Sequence, residues 1–578
     1  MNPKEKKYLR FRVVTIGIFF GLFLGVICAK AAYLQIYRGS WLSQLAADQY
    51  EASVKTSGKR GTIYDRKMSE LAVSIQVTSI AAYPARLGDP AKTAAALAKP
   101  LNLDRSSLQR SFRSKKTFVW VKRQATPREV EKIKGLNLAG IGFVPEYNRF
   151  YPKKTLAAQV IGFTGVDGAG LEGLEHFYNR SLKGAETEYT CLRDALGNRF
   201  VSNGANVQDF SGKNLILTID QTVQFIAERT LEDTVTEFDA SSGIAIVMEP
   251  KSGALLAIAQ YPFFNPNAYR KFKSANWRNR AITDSIEPGS TLKIFSATAA
   301  IESGDFSPNT IFFCENGAYR IGRKIVRDVS AHGWLSLQQI VKYSSNIGAI
   351  KISEIVGAKH LYNTLLDFGF GAKTGIDCPG ESSGSLPNYR QWTRMDTSAI
   401  SFGHGMAASP LQLVTAVSAI ANNGVLMKPY LVAAVTDQNN QTVQSFAPQG
   451  VRRVVSKNTA RKISTILKTV VAEGGTGTNA ALQGFSVGGK TGTAKKIGPD
   501  GTYSDDDYIA SFVGFTPVDN PAIAVLVIIN EPRKQYYGGV VAAPAFRRIA
   551  QETLNYLNVH PDLQDGQLAA AEGTEGRI

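Results

Sequence analysis

Hydrophobic and polar positions along this chain fall into three textures. Val13 to Ala29 runs seventeen residues without a charge, and Ala31 to Tyr37 continues it beyond Lys30. At about 1.5 Å per residue the first stretch reaches ~26 Å, near the lower limit for crossing a bilayer, and a snorkelling Lys30 extends it. Between about 50 and 205, short alternating runs such as Leu71–Val77 are broken by turn-rich joints such as Gly165–Gly170. Helical pieces occur there only near 91–99 and 127–134, so the pattern predicts an extended, strand-rich spacer. From about Gly212, strands are predicted over 214–219, 243–248, 254–259, 488–495, 509–515 and 522–529, and helices over 221–238 and 543–557. Pro250–Gly253 reads as a hairpin turn, and short joins between consecutive strands predict a largely antiparallel sheet in α/β layers. Polar residues without periodicity after about 559 predict a disordered tail.

Charge gives the first segment a direction. Lys4, Lys6, Lys7, Arg10 and Arg12 oppose only Glu5 before the apolar run, which predicts a cytoplasmic N-terminus and an outside location for everything after Tyr37. Ala29-Lys30-Ala31 resembles a signal-peptide cleavage site, but the run is longer than the usual apolar region of such peptides, so an uncleaved anchor is expected. Ile27 stands where a lipoprotein site at Cys28 would need a small residue. Gly17, Gly21 and Gly25 recur every four residues and place a close-approach groove on one helix face, although glycine is also simply frequent in membrane helices.

The net charge of +18 favours anionic surroundings, yet no basic run interleaved with aromatics points to nucleic acid. Five scattered histidines and the absence of any C-x-x-C pair offer no metal-ligand spacing. Cys191, Cys314 and Cys378 are an odd set in a disulfide-permitting compartment and are expected as small buried apolar residues.

Three short pieces could carry chemistry. Pro288-Gly289 breaks the chain before Ser290, and Thr291 to Ile301 predicts a buried helix, which puts Lys293 one turn on, on the serine's face. A serine hydroxyl needs a base, and a buried lysine with a lowered pKa can serve. Ser344 and Asn346 fall at a joint between predicted helices 335–343 and 347–355, suited to a proton relay and to holding a substrate backbone. Lys490-Thr491-Gly492-Thr493 lies on a predicted strand. There Gly492 leaves room for an extended substrate, Lys490 supplies charge, Thr491 and Thr493 supply hydroxyls, and the Ser290 and Thr493 amides would form an oxyanion hole. Singly, each has a bland explanation: a cap, a turn, an edge strand. Arg60-Gly61-Thr-Ile-Tyr-Asp65-Arg66 and Gly170-Leu-Glu172-Gly-Leu-Glu175 predict structural Arg–Asp and Arg–Glu pairs.

Jointly and in this order, S-x-x-K, S-x-N and K-T-G form the signature of penicillin-binding proteins and class A β-lactamases. Arg278 through Lys293, Ser401–Gly405 with Pro410–Leu413, Lys490 through Gly501, Tyr536–Gly539 and the two Arg/Glu-bearing segments resemble the division-specific class B penicillin-binding proteins along nearly the whole chain. The resemblance implies a multidomain fold. Its parts are a tail 1–12, a transmembrane helix 13–37, a β-rich α+β pedestal 38–211, an α/β transpeptidase domain 212–558 with a mostly antiparallel five-stranded sheet flanked by helices, and a tail 559–578. It further implies a septal peptidoglycan D,D-transpeptidase of the inner membrane. Ser290 would be the nucleophile, Lys293 the general base, Ser344 the proton relay, Asn346 the substrate-positioning group and Lys490 an electrostatic or relay group. Its substrates would be stem peptides ending in D-Ala-D-Ala and its inhibitors β-lactams. Its partners would be a polytopic glycosyltransferase of the shape, elongation, division and sporulation family and other divisome membrane proteins, with no metal or cofactor and no nucleic acid.

The alternatives are an elongation-specific enzyme of the same class, which shares all three motifs, and a structural divisome activator of the glycosyltransferase. A β-lactam sensor would need a cytoplasmic effector, and only a dozen residues precede the membrane segment. A β-lactamase would need a deacylating Glu, and Glu381-Ser-Ser-Gly-Ser385 lacks the Leu-Asn that follows it in class A enzymes, so slow acyl-enzyme hydrolysis is expected.

Overall fold

The computed structural model describes residues 3–42, 51–184, 186–193, 199–201, 211–498 and 501–563, so most of the expected C-terminal tail lies outside the described residues. It divides into two compact units, residues 1–58 with 184–211 and residues 59–183 with 212–578.

The first unit contains a helix, Pro3–Ala32, that runs into a π-turn at Tyr33–Tyr37. Within it Lys6–Tyr37 is long and apolar enough to cross a membrane. The helix takes in the expected short tail, because lysine and arginine are good helix formers. Gly17, Gly21 and Gly25 lie along it with open space where side chains would be. Glu51–Ser57, Glu186–Arg193 and Arg199–Val201 form an antiparallel sheet of their own.

In the second unit the chain first lays down β1 (Ile63–Tyr64), β2 (Glu70–Ala82), β3 (Val119–Ala125), β4 (Ile141–Phe150) and β5 (Asn214–Leu217). Helix α1 (Gln221–Glu237) and the hairpin of β6 (Ser242–Met248) and β7 (Leu255–Tyr261) follow. Next come α2 (Lys293–Glu302), α3 (Leu337–Tyr343), α4 (Asn346–Val356) and α5 (Pro410–Ala421). Strands β8 (Val432–Thr436) and β9 (Thr442–Ser445), helix α6 (Lys457–Val471), strands β10 (Gly488–Ile497), β11 (Tyr503–Thr516) and β12 (Ile523–Asn530), and helix α7 (Gly538–Tyr556) complete it.

A five-stranded sheet runs β7-β6-β12-β11-β10 with every neighbour antiparallel. The middles of its central strands are mainly apolar because both faces are covered. Ala245, Val247, Val525 and Val527 pack with Leu231 of α1 and Phe546 of α7, while Ile246, Leu526 and Ile528 pack with Phe295 of α2, Val414 of α5 and Ile466 of α6. Strand β11 starts six residues before the predicted 509. Its first turn of sequence, Ser504–Asp507, is polar, and the hairpin end is held by a Lys495–Asp505 ion pair at 2.9 Å instead of by apolar contacts. Helix α7 begins at Gly538, not 543, with Pro544 inside it.

A second sheet runs β9-β8-β5-β1-β2-β3, with β4 on the other part of β2. Residues 59–183 are therefore not an extended spacer. Their strand β1 pairs parallel with β5, and Ile63, Leu71, Leu174 and Leu182 share one core with Leu215, Leu217 and Phe295. Gly61 permits this: a Cβ there would lie 1.8 Å from the Lys213 carbonyl oxygen. The predicted helices appear at Pro90–Leu101 and Pro127–Gly135 and close a smaller core over β2 and β3.

Candidate active site

Gly289, at φ +55°, turns the chain into a single 3₁₀ turn, 289–292, before α2 opens at Lys293. Ser290 thus stands on a short turn ahead of the helix. The turn packs on β10, where a Cβ on Gly289 would sit 3.3 Å from that of Ala494.

Lys293 is 1% exposed, and its Nζ contacts Ser290 Oγ at 3.1 Å, the Ser344 carbonyl oxygen at 2.5 Å, Ser344 Oγ at 3.1 Å and Asn346 Oδ1 at 2.8 Å. Burial pushes its pKa down to about 7, with Asp328 pulling the other way. The contact set itself suits a neutral amine. The carbonyl and amide oxygens can only accept and take two hydrogens, which leaves the lone pair facing two hydroxyls that can donate.

The second motif is held by geometry that its sequence does not reveal. Ser344 caps α3 in the left-handed region, φ +59°, which aims both its oxygens at Lys293. Ser345 caps α4 by accepting from Gly348 N at 2.9 Å. Asp328 accepts from Ser345 Oγ at 2.5 Å, from Asn346 N at 2.5 Å and from Ile347 N at 3.1 Å. Asn346 Nδ2 donates to the Arg327 carbonyl at 3.1 Å, which turns its Oδ1 towards Lys293. Asp328 follows an exposed hairpin, and no local pattern marks it.

Lys490 is 0% exposed and donates only to Thr491, at 3.2 Å to O and 3.3 Å to Oγ1. Burial, then the charge of Lys293, hold its pKa well below the usual lysine range. Thr491 Oγ1 donates to Thr476 Oγ1 at 3.0 Å, and Thr493 Oγ1 accepts from Gly538 N at 3.0 Å. Gly492 also serves the packing: a Cβ there would meet Ser511 Oγ at 2.3 Å and Thr291 Cγ2 at 3.0 Å, so its bareness lets the Ser290 turn approach β10. The structure thus gathers Ser290, Lys293, Ser344 and Asn346 in one contact set. Lys490 to Thr493 lie on the strand against which the Ser290 turn packs. Glu381 is spent on a loop, accepting from Thr374 N at 2.6 Å and Gly375 N at 3.1 Å.

The two Arg/Glu segments meet elsewhere. Glu175, 0% exposed, receives Arg60 at 2.6 Å and also Arg149 at 2.6 Å, a partner the sequence did not suggest. The expected Arg–Asp pair does not form: Asp65 accepts backbone amides from Lys67, Ser69 and Gln221, while Arg66 is exposed. Glu172 makes no ion pair among the described residues; its carbonyl passes where a Cβ on Gly162 would be. Cys314 and Cys378 are buried free thiols, and the Cys191 side chain lies outside what is described. No cluster of three metal-ligating side chains occurs among the described residues.

A serine hydroxyl set against a buried amine whose pKa burial lowers to about 7, beside a terminal strand, is equipped for acyl transfer. The family described as penicillin binding protein transpeptidase domain matches residues 243–551, and that of the penicillin-binding protein dimerisation domain matches 55–217. The chain belongs to the penicillin-binding protein transpeptidase family. It is 36% identical to the probable peptidoglycan D,D-transpeptidase PenA of Neisseria meningitidis, covering 97% of this chain and 96% of the relative. It is 33% identical to the peptidoglycan D,D-transpeptidase FtsI of Escherichia coli K12, covering 96% of each. The solved structure of penicillin binding protein 3 of Mycobacterium tuberculosis complexed with ampicillin, 27% identical, superposes with a TM-score of 0.69 over 89% of this chain and 98% of that one.

Proposed function

We propose that this peptidoglycan D,D-transpeptidase cross-links stem peptides at the division septum, and that Ser290 carries the acyl group. The observation that carries the reading is the Lys293 amine, buried and within 3.1 Å of the Ser290 hydroxyl. Neutral Lys293 takes the Ser290 proton as Oγ attacks the penultimate D-Ala carbonyl. The amide C–N bond breaks, and the leaving D-Ala nitrogen receives a proton through Ser344 and Lys293 or Lys490. A neighbouring stem's amine then attacks the ester, Ser290 leaves, and the proton from that amine returns to the serine. The charge of Lys293 lowers the pKa of Lys490, so the two buried amines titrate together and protonating one disfavours protonating the other. The Ser290 and Thr493 amides stabilise the oxyanion, and Thr491, Gly492 and Thr493 receive the extended peptide along β10. β-Lactams acylate the same serine.

The septal assignment, with an N-terminus in the cytoplasm, the catalytic unit outside, and glycosyltransferase and divisome partners, rests on resemblance around residues 278–293 and 490–515. Residues 13–37 would be the anchor, 38–211 the pedestal and 212–558 the catalytic domain. Mass spectrometry after incubation with a penicillin should find a stable adduct on the Ser290 peptide, absent in Ser290→Ala. No adduct on folded protein would overturn the catalytic reading in favour of a scaffold. Depletion should give filaments; round cells would move the enzyme to elongation.

A further inference from the structure

A cavity of about 580 Å³ opens beside α1, lined by residues of that helix, by Lys153, Thr155 and Leu156, and by Phe263; it shares no residue with the catalytic groove. This volume falls in the range of small-molecule sites. Its walls include three apolar side chains, Leu156, Phe225 and Phe263, and Phe225 is 54% exposed although large and apolar.

Among these walls lies Glu228, 6% exposed. One carboxylate oxygen, Oε1, is fully used: it accepts from Ala157 N at 2.8 Å and from Gln224 Nε2 at 2.8 Å. Gln224 is itself fixed by two bonds to the Ile258 backbone, so the carboxylate cannot swing away. The other oxygen, Oε2, has no partner among the described residues and keeps access to solvent, so it is an acceptor that a molecule in the pocket can reach.

We propose that this pocket binds an alkylguanidinium or alkylammonium group, whose head donates to Glu228 while its stem lies against Phe225, Phe263 and Leu156. The free carboxylate oxygen can only accept when ionised, so the ligand it fits is a donor. Aromatic walls favour a cation with an apolar stem over a neutral donor. Glu232 and Asp233, the latter shared with Arg548 at 2.6 Å, lie on the lining together with Lys153 and Arg229; all four are exposed to solvent and screened, and their opposite charges offset one another, which leaves Glu228 as the buried charge of the pocket. With the pocket empty, burial pushes the Glu228 pKa up to about 7, the Gln224 and Ala157 bonds hold it down in part, and Glu232 raises it further. A bound cation favours the ionised form. Affinity should therefore rise about tenfold from pH 6 to pH 8, as Glu228 passes from mostly protonated to mostly ionised.

The test is titration of the detergent-solubilised full chain with n-butylguanidinium and its neutral isostere n-butylurea, read by saturation-transfer NMR. The expected result is at least tenfold tighter binding of the cation, a loss of about tenfold in Glu228→Gln with unchanged thermal melting, and the stated pH dependence. Equal affinity for the urea, or unchanged cation affinity in Glu228→Gln or between pH 6 and pH 8, would overturn the assignment. Should the glutamine variant melt early, Phe225→Ala, at an exposed position, provides the second arm: weakened cation binding supports the site and unchanged binding overturns it. An arginine blocked at both ends distinguishes the sources. Binding as tight as n-butylguanidinium points to a side chain offered by another protein, and exclusion of it points to a free small molecule.

Discussion

Two places in this molecule bury charge-bearing side chains almost completely, and they treat them in opposite ways. Around Glu175, two guanidinium groups share one carboxylate within 2.6 Å, Arg60 and Arg149 further donate to backbone oxygens of Glu175 and Gly61, and Arg149 Nη2 is left without a partner among the described residues. Lys293 and Lys490 lie buried with no carboxylate in contact among the described residues; Asp328, whose charge acts on Lys293, is engaged with the amides of α4. Opposite charge makes the first cluster a joint; its absence gives the second the lowered lysine pKa that the proposed base needs. The same energetic cost of burial is largely offset in one place and left to lower a pKa in the other.

The sharpest break of this contrast is Lys293→Met, which keeps bulk and removes the amine. Acylation by a fluorescent penicillin should slow on the order of 10³-fold, while thermal stability holds or rises, because an uncompensated buried amine is lost. Glu175→Gln should do the reverse. Two buried guanidiniums lose their counter-charge, and a denaturant melt should show a loss of about 3–5 kcal/mol, with acylation of the folded fraction retained. The pH profile comes next. Acylation needs Lys293 without its extra proton, so the rate should climb about tenfold per unit up to pH 7 and level above it. A flat profile between pH 5 and 8 would refute a lysine base of this kind. Gly492→Ala puts a Cβ 2.3 Å from Ser511 Oγ and 3.0 Å from Thr291, and should cost about 1–3 kcal/mol and slow acylation, with Ser511→Ala recovering part of it. The smallest effect belongs to Asp328→Asn. An amide keeps an acceptor for α4 but removes the charge that holds the Lys293 pKa up, so the profile's midpoint should move below pH 7.

The strands of the five-stranded sheet were legible in the sequence because 243–248, 254–259, 509–515 and 522–529 are mainly apolar and short turns join β6 to β7, β10 to β11 and β11 to β12. The Ser290 turn was legible because Pro288-Gly289 marks where a helix can start. What escaped reading depends on partners distant in the chain. Arg60 finds Glu175 from 115 residues away, and Arg149 completes the cluster from a strand whose own pattern gives no hint of charge pairing. Asp328 caps a helix that begins eighteen residues later, beyond any local capping rule. At Gly492 the sequence indicated a close approach but not that Ser511 and Thr291 come close, since sequence cannot say which segment does. The extended spacer failed for a related reason: Ile63 and Tyr64 pair with β5, and Leu71, Leu174 and Leu182 enter a core shared with Leu215 and Leu217, a weld between residues far apart in the chain.

That weld has a mechanical side. Strands β1 and β5 run the same way, so a pull along residues 59–64 loads their hydrogen bonds in shear, side by side, where they yield together and not one after another as in an unzipping hairpin. Arg66 N bonds the Ile219 carbonyl at 2.9 Å and Asp65 accepts from Gln221 N at 3.1 Å, which carries the same load past the end of β5 to the start of α1. Residues 59–66 thus behave as a stiff rivet rather than a hinge, and tension on one side of them arrives undamped at the helix that supports the five-stranded sheet.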